Sequence, residues 1–295
     1  MLSLCNDITS YICSIPSSRI ILVLDIPSAF LPESTLDINT VVSIVEALSI
    51  CKKLAFILIN PFMGTHIDVV KHIEPFKKYD KIGLIVNTQD LDVANISIFS
   101  QGLRSMYTIE IFNLSKYGDP MIVSLPRTSD FAPLLLSTAL YSLYIVKNRD
   151  DRLMLNQGFI ATNINIARIF VSQPARYAVL DIEKIVHGDG PIYGLIDYIK
   201  NIHFKFIVGD PLYVDVLFTK SINMNVETIG CLWVLSKVLN ISESQILKDF
   251  HYENKCIYGV KLKLHQFYNF YRNFWRKYKE NIKGMLRMWV QTYQE

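Results

Sequence analysis

Arg19-Ile-Ile-Leu-Val-Leu-Asp25 is an unbroken apolar run closed at both ends by charge, and the pattern returns twice, as Lys53-Leu-Ala-Phe-Ile-Leu-Ile59 and Lys81-Ile-Gly-Leu-Ile-Val86. Runs this short and without polar alternation read as strands buried on both faces, which is the condition of a parallel sheet flanked by helices. The intervening segments carry helical periodicity. Leu36–Ile50 sets Val41, Ile44, Val45 and Leu48 on one face, and Thr65–Phe76 does the same with Ile67, Val70 and Ile73. Strand, helix, strand, helix, strand predicts an α/β fold with a Rossmann-like, partly parallel sheet in the amino-terminal half. Ile96–Phe112 reads as one or two more strands around Gly102, pairing antiparallel at the sheet edge.

Beyond Lys116-Tyr-Gly-Asp-Pro120 the texture changes. Two prolines and polar spacers predict a boundary, with an α/β domain over 1–120 and a mostly helical domain over 121–295. In the second part Phe131–Val146, Arg152–Val171, Asn225–Leu239, Ser242–Phe250 and Lys261–Tyr293 read as helices. Tyr177–Ile182, Phe204–Val208 and Val214–Phe218 read as strands, and Ser242-Glu-Ser-Gln245 carries a helix-capping signal. The longest apolar run, Phe131–Val146, is about 16 residues, short of the roughly 20 that a bilayer requires, and Pro133 interrupts it. No membrane partner is expected. The first twenty residues lack a basic stretch and carry Asp7, so no secretory signal is expected either.

The chain holds five cysteines, an odd number without a close Cys-x-x-Cys pair, which fits neither a disulfide framework nor a zinc site and points to a reduced, cytoplasmic setting. His66 and His72, six apart, suit no metal-binding helix face, so no metal and no cofactor is expected. Charge is polarised. Residues 251–295 carry nine Lys or Arg against three Asp or Glu, whereas residues 1–250 carry 21 against 24. Such an excess of one sign at one end attracts phosphate-rich polymers. The candidate nucleic-acid contacts are Lys261, Lys263, Arg272, Arg276, Lys277, Lys279, Lys283 and Arg287. Phe267, Tyr271, Phe274, Tyr278, Ile282, Met285 and Trp289 recur at three- and four-residue spacing and form the expected buried stripe, leaving Tyr268 and Trp275 exposed for base stacking.

Asp25 stands at the carboxyl end of its strand, where open α/β sheets place ligand-binding groups. The order of Val23-Leu-Asp-Ile26, the Val41–Cys51 helix, Leu54-Ala-Phe-Ile-Leu-Ile-Asn-Pro-Phe62, Lys81–Asn87 and Ile96–Gly102 resembles the second half of an FtsJ-like ribose 2′-O-methyltransferase. In that family a strand-end Asp is followed by a strand ending in a catalytic Lys and by strands carrying a catalytic Glu near a Ser. Here Asn60 stands where the resemblance calls for Lys, and Asn95-Ile-Ser-Ile-Phe-Ser100 offers no Glu. Met1–Ser18 holds no glycine to cradle a methyl donor. The resemblance therefore implies a degenerate domain without catalytic residues, similar to the non-catalytic small subunit of poxvirus-type mRNA-capping enzymes. The function it implies is an accessory subunit that binds RNA or single-stranded nucleic acid beside a larger protein subunit. Two other classes stand beside it: a metal-dependent nuclease drawing on Asp25 with Asp90 or Asp92, for which Asp80 is a further carboxylate, and an interaction protein without nucleic-acid contact. His187-Gly-Asp-Gly-Pro-Ile-Tyr-Gly194 lacks the Lys-Ser/Thr ending of a phosphate loop and reads as a turn.

Overall fold

The computed structural model describes residues 3–26, 36–60, 76, 78–79, 81–85, 91–127, 137–187, 195–198, 204–222, 224–242, 244–245 and 268–291. In chain order the first elements are β1 (Ser3–Cys5), α1 (Thr9–Ser14), β2 (Arg19–Leu24), α2 (Ile38–Ile50), β3 (Leu54–Leu58) and β4 (Ile82–Ile85). A hairpin follows, β5 (Val93–Phe99) and β6 (Met106–Phe112), then β7 (Asp119–Ser124). Three helices come next, α3 (Ser137–Tyr144), α4 (Arg149–Met154) and α5 (Phe159–Ser172). The chain returns to the sheet with β8 (Tyr177–Asp181), passes through β9 (Lys184–His187) and β10 (Leu195–Tyr198), and returns again with β11 (Phe206–Gly209). The remaining helices are α6 (Pro211–Ser221), α7 (Gly230–Val238), α8 (Tyr268–Lys283) and α9 (Leu286–Gln291).

The sheet has seven strands in the order β1-β11-β8-β7-β2-β3-β4. The three apolar runs of the sequence are its neighbours β2, β3 and β4, all parallel, as expected, and β7 and β8 continue the parallel set on the other side. Strand β11 runs antiparallel to β8, and β1 antiparallel to β11. The unalternating sequence is explained by cover on both faces. Ile20, Leu22 and Leu24 point into a core with Ile12, Ile44, Val45 and Leu48 of α1 and α2, while Ile21 and Val23 point into a second core with Leu140, Ile164, Leu217 and Leu232 of α3, α5, α6 and α7. At the entry to β7, Gly118 has φ 147°, and a Cβ there would lie 2.6 Å from the backbone of Arg19 on the neighbouring strand. Close backbone approach of this kind needs glycine.

Three expectations are corrected. The hairpin β5–β6 forms its own two-stranded sheet and does not extend the main one. Its apolar side packs on α5, where Asn165 bonds both the N–H and the carbonyl of Phe99. Val214–Phe218 belongs to helix α6, not to a strand: Asp210 accepts hydrogen bonds from the N–H groups of Leu212 and Tyr213, Pro211 fills the first helical position, and cap and proline together start a helix. The cysteines are not all thiols, since Cys13 and Cys51 are disulfide-bonded and join α1 to the end of α2. The boundary expected near residue 120 falls inside β7, at the middle of the sheet. The Thr65–Phe76 helix lies outside the described residues apart from Phe76, and the Ser242–Phe250 helix is described only at its start. No helix among the described residues is long and apolar enough to cross a membrane.

Candidate nucleic-acid interface

From β2 the chain builds outward through β3 and β4 and then returns to place β7 on the other side of β2, so the topological switch point lies between β2 and β7. In open α/β sheets the crevice at the carboxyl ends of these two strands is the usual ligand site. Here it holds Asp25 and Arg127. Both are fully buried, and the Arg127 Nη2 and Nε donate to Asp25 Oδ2 at 2.8 and 3.0 Å. The Tyr144 hydroxyl donates to Asp25 Oδ1 at 2.7 Å, and burial together with that carboxylate raises the Tyr144 pKa far above its ordinary value. Next door, at the end of β3, Asn60 donates to the carbonyls of Tyr144 and Val146 and accepts from Arg152 at 2.8 Å. Burial lowers the Arg152 pKa to about 10. A carboxylate taken up by a guanidinium and a phenol is held as a structural ion, and an amide with its oxygen and nitrogen both engaged cannot move a proton.

Of the carboxylates of the nuclease reading, Asp25 bonds Arg127 and Asp92 pairs with Lys116 in the turn after β6, while Asp80 and Asp90 lie outside the described residues. Among the described residues no group of three or more His, Cys, Asp or Glu side chains is placed to hold a metal ion. His187 ends β9 and bonds Asp197 across the hairpin at 2.8 Å, and the glycine-rich segment after it is outside the described residues.

The basic end is built on α8 and α9. Its buried line is Trp275, Ile282, Leu286 and Val290. Trp275 is fully buried, edge-on to Trp233 and to Phe159 with ring centroids 5.1 Å from each, so it anchors the helix and is unavailable for base stacking. Met285, expected in the stripe, is exposed, in the turn that Gly284 and Met285 form between α8 and α9. Of the candidate cations, Arg276, Lys277, Lys283 and Arg287 are exposed. Lys279 is half-buried and paired with Glu227. The side chain of Arg272 and the residues Lys261 and Lys263 lie outside the description, as does the side chain of Tyr268. Arg276 and Lys283 stand seven residues apart on α8, close to two whole helical turns.

Lys283 and Arg287 also line a groove of about 670 Å³ between the α8–α9 junction and the end of α7. Its other wall is the turn after α7, whose construction is local. Asn240 takes φ 55° and Ile241 N–H bonds the Ser236 carbonyl at 2.9 Å, a Schellman termination. Ser242 and Gln245 then form the capping pair expected from the sequence, with Ser242 N–H on Gln245 Oε1 at 2.8 Å and Gln245 N–H on Ser242 Oγ at 3.2 Å. Lys237, in the last turn of α7, brings a third cation to the groove. Sequence reading missed it, since it stands 46 positions before Lys283 in a segment with no local charge excess. Ser236, Asn240, Ser242 and Gln245 supply neutral polar lining, and no carboxylate is among the described residues that line the groove. The arrangement suits oxyanions. The chain matches no protein-family model, and no curated protein matches it in sequence.

Proposed function

We propose that the chain is a non-catalytic accessory protein of nucleic-acid metabolism that holds RNA or single-stranded nucleic acid on its carboxyl-terminal basic face. The observation that carries this reading is the convergence of Lys237, Lys283 and Arg287 on one groove with no carboxylate among its described lining residues, continued along α8 by Arg276 and Lys277. The packing of the apolar side, with Trp275 in the core, explains why these cations are left to solvent. The degenerate methyltransferase reading is supported by the switch point, where a buried Asp25–Arg127 pair occupies the place of a ligand and Asn60 takes the place of a proton-transferring lysine.

The test is binding of short single-stranded RNA followed by fluorescence anisotropy at several salt concentrations. Four phosphate contacts release counterions and give a log–log salt slope of roughly −3. Reversing Arg276, Lys283 and Arg287 to Glu flattens that slope by about 2 and weakens binding, while leaving the fold intact. Equal affinity of the parent and the triple variant overturns the assignment. Methyl transfer to capped RNA that disappears in Asp25→Ala overturns the non-catalytic part.

A further inference from the structure

We infer that the groove between α7 and the α8–α9 junction binds the terminal phosphate of a strand, whereas the outer stripe of α8 holds internal phosphodiesters. This inference rests on the nucleic-acid reading above and assigns its two parts to two different phosphate chemistries.

Three observations separate the groove from the stripe. The first is charge density. Lys237 lines one wall and Lys283 and Arg287 the other, with no carboxylate among the described lining residues, so three positive charges border one volume. The Glu280 partner of Lys283 lies at 3.7 Å on the solvent side with both side chains more than half exposed, and a pair so exposed neutralises little. An internal phosphodiester carries one negative charge, and a terminal phosphomonoester carries about −1.5 to −2 at neutral pH. Attraction to a convergent triad scales with that charge, so the triad discriminates in favour of an end. Along the stripe, Arg276 and Lys277 stand on a convex helix surface and meet charges one at a time.

The second is size. About 670 Å³ falls within the range of pockets that enclose a small ligand, and it accommodates a terminal nucleotide with its phosphate. The third is rigidity. The Schellman turn and the capping pair fix the backbone on the Asn240 side, while Trp275, Ile282 and Leu286 fix the other wall from beneath, so the cations are held apart by packed elements on both sides. Arg287 adds a planar fork matched to two phosphate oxygens at once, which a lysine alone does not offer.

The experiment compares one short RNA in three forms: with a 5′-phosphate, with a 3′-phosphate, and with hydroxyls at both ends, each labelled on the opposite or an internal nucleotide. At neutral pH one phosphorylated form binds about tenfold tighter than the hydroxyl form, and the form that gains identifies the end recognised. The gain shrinks toward pH 5, where the monoester takes up its second proton, whose pKa is near 6. Millimolar inorganic phosphate competes with the phosphorylated form more strongly than with the hydroxyl form. Lys237→Gln lowers the preference below about twofold, with circular dichroism confirming the fold. Arg276→Glu weakens all forms together and keeps their ratio. Equal affinity of all three forms overturns the terminal-phosphate assignment and leaves strand binding standing, and a tenfold preference that survives Lys237→Gln overturns it too by placing the reader elsewhere. Absence of binding by every form overturns the nucleic-acid reading itself.

Discussion

Arg127 and Asp25 stand 102 positions apart in sequence and form one buried ion pair. Removing one partner strands a charge in the core. Arg127→Met is expected to lower unfolding free energy by about 3–5 kcal/mol in denaturant titration, and Asp25→Leu in the same chain to recover most of it. A larger loss in the double variant than in the single one would show that the pair holds more than itself together. Asp215 offers a second measurement. It is fully buried, accepts from the N–H groups of Ser137 and Thr138 at 2.8 and 2.9 Å, and so caps α3 from another helix. Burial pushes its pKa up to about 7, against hydrogen bonds that lower it. With the folded value above the unfolded one, the folded state binds the proton more tightly. The stabilising contribution is then complete below pH about 4 and lost as pH rises to about 7, on the order of 2–4 kcal/mol. Asp215→Asn is expected to flatten that part of the stability–pH curve, and an unchanged slope would refute the shift. At this scale the sequence was partly legible. Asp25 was visible as a strand-end carboxylate and Asn60 as the wrong residue for proton transfer, but neither Arg127 nor Lys237 carries a local signal of what it meets.

Helix α8 shows how far periodicity reaches. Its division into an apolar side and a basic side was readable, and its phase was not, because Trp275 is drawn into the core by Trp233 and Phe159, far off in sequence, while Met285 falls in the turn at Gly284 and stays outside. Trp275→Ala is expected to cost about 3–5 kcal/mol of stability, whereas Arg276→Glu or Arg287→Glu, on exposed positions, should move the thermal midpoint little and act on RNA affinity. A midpoint drop of the same size in all three would mean that the basic side is structural. The turn after α7 gives a finer test. Asn240→Gly should be neutral or slightly stabilising, and Asn240→Val should cost about 1–2 kcal/mol, since a β-branched residue resists the left-handed conformation. Val214–Phe218 was misread because Val-Asp-Val alternation imitates a strand; the decisive signal, Asp210-Pro211, lay just before it.

Across the whole molecule, the order of apolar runs specified β2, β3 and β4 correctly, because burial on both faces leaves a mark in every residue of a central strand. The composition change near residue 120 reflects the many helices that cover one face, and the sheet itself runs through it. Pairing of Cys13 with Cys51 is a property of the folded arrangement and had no spacing signature. The bridge closes a loop of 38 residues, for which chain entropy gives a stabilisation of about 4 kcal/mol. Reduction, or Cys51→Ser, is expected to lower the denaturation midpoint correspondingly, and an unchanged midpoint would show that the packing of α1 on α2 suffices.

Strand β1 lies at the outer edge of the sheet, against β11. Ser3 pairs with Val208, 205 positions later, so at ribosomal rates of about 5–20 residues per second β1 waits roughly 10 to 40 s for its partner. During that interval the two-cysteine loop is already complete in the nascent chain, while β1 has nothing to pair with. Joining of β1 to the sheet therefore reports that synthesis has passed β11.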